Sequence, residues 1–286
     1  MTASLASRLR EQKVAVAFSS GFFGFYHHAG VLRALLEHDI RPVHVCGTSA
    51  GAIVAALYGA GLDGQEICDA LLEIKRKDFW DFQFPFTKKG FGWLAGERLG
   101  AALARLLPTH SFETCRVPVV MGVYRVRDGR SIHLGKGSLI LGVRASCAVP
   151  YLFQPVQIDN EIYWDGGFQE KTPLGHLVND REVETVLVSH MPPREHRNGK
   201  PPKEGLFSNI SFLADTPPEE RRERDRVAVR FLREQGKTVH VLSPERIWLG
   251  PFSLDKAQDA MDFGYERAKE ALATTDDTLP GSDELS

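Results

Sequence analysis

The chain is poor in the residues that build metal centres and disulfide frameworks. Its four cysteines, Cys46, Cys68, Cys115 and Cys147, form no CxxC pair, which excludes the common zinc motifs. They sit among apolar neighbours, as in Val45-Cys46 and Ile67-Cys68, the setting of buried free thiols in a reducing compartment. No apolar run of about 18 residues is present to span a membrane, and Met1–Lys13 holds no apolar stretch of signal-peptide length. The expectation is a cytoplasmic protein, free to make peripheral contact with membranes. An excess of one charge is missing as well. The 35 Lys and Arg and 37 Asp and Glu leave a net charge of -2, so no strong field points to nucleic acid as a partner.

What is present suits a globular enzyme. The 286 residues are 43% hydrophobic and 25% charged, enough for a substantial core. Val14–Phe18 reads as a buried strand, and a helical pattern with Ala29, Leu32, Leu35 and Leu36 on one face runs to Glu37. Val43–Cys46 reads as the next strand and Ala50–Tyr58 as the next helix. This alternation implies an α/β fold with a mostly parallel central sheet and helices on both faces. Further on, Leu62–Lys77, Gly96–Leu107, Leu139–Ala148 and Asp255–Leu272 read as helices. Pro118–Arg127 with Ser131–Leu134, and Gln157-Ile158 with Ile162-Tyr163, read as hairpins across Asp128-Gly129 and Asp159-Asn160. Thr185–Val188 and Thr238–Leu242 are two more buried strands. Pro192–Glu204 reads as a loop and Pro217–Glu234 as an exposed helix. No linker divides the chain, so residues 1–275 are expected to form one domain and 276–286 a polar, disordered tail.

Three short segments carry chemistry. Gly47-Thr48-Ser49-Ala50-Gly51 matches GxSxG where a strand should meet a helix. Such a turn exposes a strained serine, and Gly47 and Gly51 let the chain turn sharply around it. The plainer alternative is a tight turn in which Ser49 only caps the helix. Ser19-Ser-Gly-Phe-Phe-Gly24 follows the first strand and opens a helix, so the N–H groups of Gly21, Phe22, Phe23 and Gly24 are candidates to hold an oxyanion. Asp165-Gly166-Gly167 ends an apolar stretch. Alone it reads as an ordinary turn. Beside Ser49 its carboxylate could take the serine proton, which a poor nucleophile requires.

Taken in order, these segments resemble the patatin-like phospholipases. The anion loop precedes Gly30-Val-Leu32. Gly-Thr-Ser-Ala-Gly follows, then Ala145-Ser-Cys-Ala-Val-Pro150 with Phe153 and Pro155, then Asp-Gly-Gly and Pro173. The likeness covers about Val14 to Pro173. It implies the family's three-layer fold, a Ser49–Asp165 dyad, hydrolysis of fatty-acyl esters of phospholipids or related lipids, and neither metal nor diffusible cofactor. Two departures stand out. The family's loop usually carries consecutive glycines followed by Arg or Lys. Here it reads Ser20-Gly-Phe-Phe-Gly-Phe25, closer to the Gly-Phe-Leu-Gly loop of animal neutral-lipid members with a shift of one residue. Lys171 stands where the family commonly has Asn.

Competing readings use other residues. His190 or His240 could serve a Ser-His-Asp triad. A carrier-dependent acyltransferase would call on Arg144 and His190, and a non-catalytic lipid-binding protein could keep the same fold. Phe79, Trp80, Phe82, Phe84, Phe86, Phe91 and Trp93 interleave with Lys75, Arg76, Lys77, Lys88 and Lys89. That cluster reads either as core packing with outward charges or as a membrane-docking lid. Ile247–Leu254 is a candidate to line the acyl pocket.

Overall fold

Short β-branched runs become strands, and the alanine- and leucine-rich stretches between them become helices. The computed structural model describes residues 3–87, 90–192, 219–243, 247–250, 252–275, 279 and 285. The first half holds α1 (Leu5–Arg10), β1 (Val14–Phe18), α2 (Phe25–Glu37), β2 (His44–Thr48), α3 (Ala50–Gly59) and α4 (Gly64–Glu73). Then come β3 (Phe86–Thr87), β4 (Gly90–Leu94), α5 (Glu97–Leu106), β5 (Val119–Arg125), β6 (Arg130–Leu134) and α6 (Leu139–Ser146). β7 (Tyr151–Phe153), β8 (Val156–Ile158), β9 (Glu161–Asp165), β10 (Thr185–Ser189), α7 (Glu219–Glu234), β11 (Thr238–Leu242) and α8 (Ala257–Ala273) complete the chain.

The main sheet runs β11-β10-β1-β2-β5-β9-β8, with β6 also on β5. β11, β10, β1, β2 and β5 are parallel. β6 and β9 run antiparallel to β5, and β8 antiparallel to β9. Alternation along β1 sends Val14, Val16 and Phe18 into the core shared with α1, α2, α3 and α8. Ala15 and Ala17 face the opposite core with Leu177, Val229 and Leu232. The sheet is therefore covered on both faces, as parallel strands require. α2 and α8 pack almost backbone to backbone: a Cβ at Gly30 would overlap the Met261 carbonyl, and one at Gly264 the His27 carbonyl.

Two expectations change. The helix expected over Leu62–Lys77 spans only Gly64–Glu73, followed by a 3-10 turn at Arg76–Asp78. Asp63 and Glu66 cap its start reciprocally. Beyond its end the Asp78 carboxylate accepts the Lys75 N–H at 2.7 Å, which starts a new turn instead of continuing the helix. The aromatic stretch splits. Phe79 and Trp80 are half-buried, whereas Phe82, Phe84 and Phe86 are exposed, and β3, β4 and β7 form a separate small sheet. Of the expected tail, Leu279 and Leu285 are described and both are buried, while its other residues lie outside the described residues, as do residues 193–204 of the expected loop.

Candidate active site

In an open parallel sheet, ligands gather at the carboxyl ends of the strands. There β2 ends at Thr48 and α3 begins at Ala50. Ser49, the one residue between them, has φ 55° and ψ -117°, a conformation that costs a residue with a Cβ and persists only when its surroundings impose it. Its surroundings are specific. The Ser49 N–H donates to Ser146 Oγ at 2.8 Å, and Ser146 Oγ donates to the Gly122 carbonyl at 2.7 Å. The Cys147 thiol donates to the Ser49 carbonyl at 3.3 Å. A Cβ at Gly47 would overlap the Gly51 carbonyl, and one at Gly51 would overlap the Phe18 carbonyl. Both glycines predicted to shape the turn are needed for close approach rather than for a positive φ.

Register brings the aspartate to the same place. Val45–Thr48 of β2 pair with Val119–Gly122 of β5. Val123–Arg125 of β5 pair with Asp165–Tyr163 of β9. Because β6 pairs with Met121–Arg125 along the other edge, β2 and β9 share one edge of β5 and run into each other end to end. Their last residues, Thr48 and Asp165, face the consecutive residues Gly122 and Val123. Asp165 is buried. Its N–H donates to the Ala148 carbonyl at 2.9 Å, and its Oδ1 accepts the Gly167 N–H at 2.8 Å. A Cβ at Gly166 would press on the Gly122 backbone, and one at Gly167 would crowd Ser20 Oγ and Asp165 Oδ1. Cys147 lies between the two residues. Burial, and next the negative charge of Asp165, hold its thiol well above the ordinary range, so it remains a neutral donor to Ser49.

The loop after β1 closes the third side. Ser19 N–H donates to the Ser189 carbonyl at 3.0 Å, and Ser19 Oγ accepts the Met191 N–H at 2.7 Å. Phe23 has φ 52°, and the Gly24 N–H donates to the Gly21 carbonyl at 2.7 Å. Gly24 therefore spends its donor inside the loop, whereas Gly21, Phe22 and Phe23 border the cavity at Ser49. Lys171 ties this loop to the Asp-Gly-Gly turn. Its carbonyl accepts the Ser20 N–H at 2.7 Å and its Nζ donates to the Met191 carbonyl at 2.8 Å. A lysine at this position thus anchors the turn through a buried chain of hydrogen bonds.

The cavity is narrow, with about 70 Å³ open to the centres of water-sized molecules. Ser49 and Ala50 form part of its wall. Ile53, Phe79, Trp80, Leu94, Leu99, Leu152 and Phe153 supply apolar walls. The stretch Ile247–Leu254, a candidate for this lining, contributes none of its described residues. The walls suit an acyl chain, and Ser49 would meet the carbonyl at its head.

The rival residues lie elsewhere. His190 follows β10, which β1 separates from β2, and its Nδ1 shares a hydrogen bond with Ser243 Oγ at 3.1 Å. His240 lies within β11, one strand further away. Arg144 donates to the Ala95 carbonyl at 3.2 Å. Ser146 and Cys147, which hold the Ser49 backbone, stand in the sequence only as part of the Ala145–Pro150 motif, because nothing local shows that their side chains reach across to residue 49. Among the described residues, no group of three or more His, Cys, Asp or Glu side chains could hold a metal ion, and no helix is long and apolar enough to cross a membrane.

Known proteins resemble this chain in sequence and in fold. A profile of the patatin-like phospholipases matches residues 16–178. An NTE family protein of Mycobacterium tuberculosis is 28% identical over 193 residues, covering 66% of this chain and 53% of that protein. A second one from that organism is 25% identical over 294 residues, covering 96% of this chain and 49% of its own. The chain thus spans about half the length of these curated relatives. A mouse omega-hydroxyceramide transacylase is 27% identical over 184 residues, 60% of this chain and 30% of that one. The crystal structure of VipD from Legionella pneumophila superposes with a TM-score of 0.51 at 15% identity, over 92% of this chain and 67% of that one, a likeness of fold.

Proposed function

The chain belongs to the patatin-like phospholipase family, and from that premise we propose that it hydrolyses fatty-acyl esters of phospholipids or related lipids with Ser49 as nucleophile and Asp165 as base. The observation that carries this reading is the end-to-end meeting of β2 and β9 on one edge of β5. It supports a serine on a strained turn and a buried carboxylate working on one substrate, beside an apolar cavity.

In the proposed reaction Ser49 Oγ attacks the ester carbonyl carbon while its proton passes to the Asp165 carboxylate. The carbonyl oxygen becomes an oxyanion, held by main-chain N–H groups of Gly21, Phe22 and Phe23 and by that of Ala50 at the start of α3. The C–O bond to the alcohol then breaks, and Asp165 returns its proton to the leaving oxygen. Water attacks the acyl-serine, gives its proton to Asp165, and the acid departs as Ser49 recovers its hydrogen. No metal or diffusible cofactor takes part in this scheme. The mouse relative is named a transacylase. A lipid hydroxyl in place of water would give that outcome from the same acyl-serine, and product analysis separates the two.

The test is labelling by a fluorophosphonate probe together with turnover of a fatty-acyl ester. The native protein should label and release free acid, and Ser49→Ala should do neither. Unlabelled native protein that turns over no ester would leave a lipid-binding protein of the same fold.

A further inference from the structure

Exposed aromatic surface gathers on one side of this protein. Phe82, Phe84, Phe86, Trp93 and Tyr151 are 66%, 74%, 66%, 46% and 65% exposed. The small sheet explains why. Along β4, Gly92 and Leu94 are buried and alternation turns Trp93 outward, while on β7 Leu152 and Phe153 are buried and Tyr151 is exposed at the strand's start. The rings touch in series: Phe84 to Phe86 at 6.0 Å, Phe86 to Phe91 at 5.1 Å, then Phe91 to Trp93 at 5.9 Å and to Tyr151 at 6.3 Å between centroids. Trp80 stacks on Phe82 at 5.4 Å and meets Phe252 at 6.0 Å. Trp80 also lines the cavity at Ser49. Single exposed apolar residues are ordinary, but a connected patch marks an interaction surface.

Cations border this patch. Lys75, Arg76 and Lys77 are exposed just before Phe79, and the Arg76 guanidinium lies 5.6 Å from the centre of the Phe252 ring. Lys75, Arg76 and Phe252, with Asp255, line a separate hollow. Aromatic rings favour the boundary between headgroups and acyl chains, and nearby cations favour anionic headgroups.

We propose that this aromatic face docks on an anionic lipid bilayer, with Phe84, Phe86 and Trp93 entering the interface and Lys75, Arg76 and Lys77 meeting lipid phosphates. The purpose of the surface rests on the hydrolase reading, since it would set the mouth of the acyl cavity against the lipid. A bilayer fits better than a protein partner because Trp80 and Leu94, in the same chain segment as the exposed rings, also line that cavity, and because Arg76 lies over Phe252 beside them.

Binding can be measured without catalysis by sedimenting the Ser49→Ala protein with vesicles of phosphatidylcholine and phosphatidylglycerol. The protein should sediment with them, and adding Phe84→Ser and Phe86→Ser should weaken partition by about tenfold or more. Lys77→Glu should weaken binding to the mixed vesicles and leave binding to pure phosphatidylcholine unchanged. Brominated lipid should quench tryptophan fluorescence, and Trp93→Phe should remove much of that quenching. In a background with Ser49 intact, Phe84→Ser with Phe86→Ser should leave turnover of a soluble short-chain ester unchanged, which shows that the fold survives. Unchanged partition of the double variant would overturn the proposal. So would self-association in analytical ultracentrifugation that the double variant abolishes while neither form binds vesicles; the occupant is then a second copy of this chain. Vesicle binding without ester cleavage would end the hydrolase reading alone, and ester cleavage without vesicle binding would end the docking proposal alone.

Discussion

The turn at Ser49 and the aromatic hairpin at Phe86 border one cavity and are built in opposite ways. Around Ser49 the backbone is packed so closely that Gly47, Gly51 and Gly166 have no room for a methyl group, and the residue is held by Ser146 and Cys147. Around Phe86 the packing is one-sided and large rings face solvent. The contrast teaches a division of labour. A strained nucleophile needs surroundings that leave it no alternative, whereas a docking surface needs apolar area that the fold leaves uncovered. Substitutions at the two places should therefore fail differently.

The largest expected effect is chemical. Asp165→Asn keeps the shape of the turn and removes the proposed base, so kcat on a soluble ester should fall about 100–10,000-fold, with vesicle binding intact. Near-normal turnover in this variant would move the base to another residue. Next comes packing. Gly51→Ala drives a methyl group into the Phe18 carbonyl and should cost about 1–3 kcal/mol in urea unfolding. Phe84→Ser, on the exposed hairpin, should stay within about 0.5 kcal/mol of the parent. Equal losses at the two positions would erase the distinction.

A finer probe is Ser146→Ala, which strips a partner from both the Ser49 N–H and the Gly122 carbonyl. Stability should drop by about 1–3 kcal/mol. With Ser49, the proposed nucleophile, less firmly aimed, kcat should fall about tenfold, equivalent to ~1.4 kcal/mol of barrier. KM should change little, and Ser146→Thr, which keeps the hydroxyl, should recover part of the rate.

A last comparison tests whether the site is also pinned from behind. Asp225 on α7 accepts a hydrogen bond from Thr172 Oγ1 at 3.1 Å, a few residues past the Asp-Gly-Gly turn. Burial, and next Glu170, push its carboxyl up to about 7, with Lys171 opposing. An unfolded aspartate ionises near 3.9. Between those values the folded protein keeps a proton that the unfolded chain has released, so stability should fall as pH rises through that window and level off above about 7. Asp225→Asn should flatten the fall by up to one proton, ~1.4 kcal/mol per pH unit. Urea midpoints at two pH values inside the window decide it.

Much of the frame was legible before any coordinates. Val14–Phe18 and Ala50–Tyr58 announce themselves by composition, and they appear as β1 and as α3 with one further residue. GxSxG between them identified the turn because a strand-to-helix junction is a local event. The sequence also showed a loop after β1. It did not show that Gly24 turns its N–H inward onto Gly21, since such a hydrogen bond depends on the dihedral angles of the residues between. The aromatic stretch was ambiguous for a related reason. Phe79 and Phe84 are the same residue type a few positions apart, yet one lines the cavity and the other meets solvent. Only the path of the chain distinguishes them.

By itself the sequence determined the alternation of strands and helices, the tight turn at Ser49 and the residue types available at it, because periodicity and turn geometry act over a few residues. The tertiary structure alone decided that Ser146 would hold Ser49, that Lys171 would tie two loops together, and that β2 and β9 would meet head to head on β5. Those outcomes depend on strand register and on contacts between residues far apart in the chain, which are set when the whole core packs and leave no local mark in the order of amino acids.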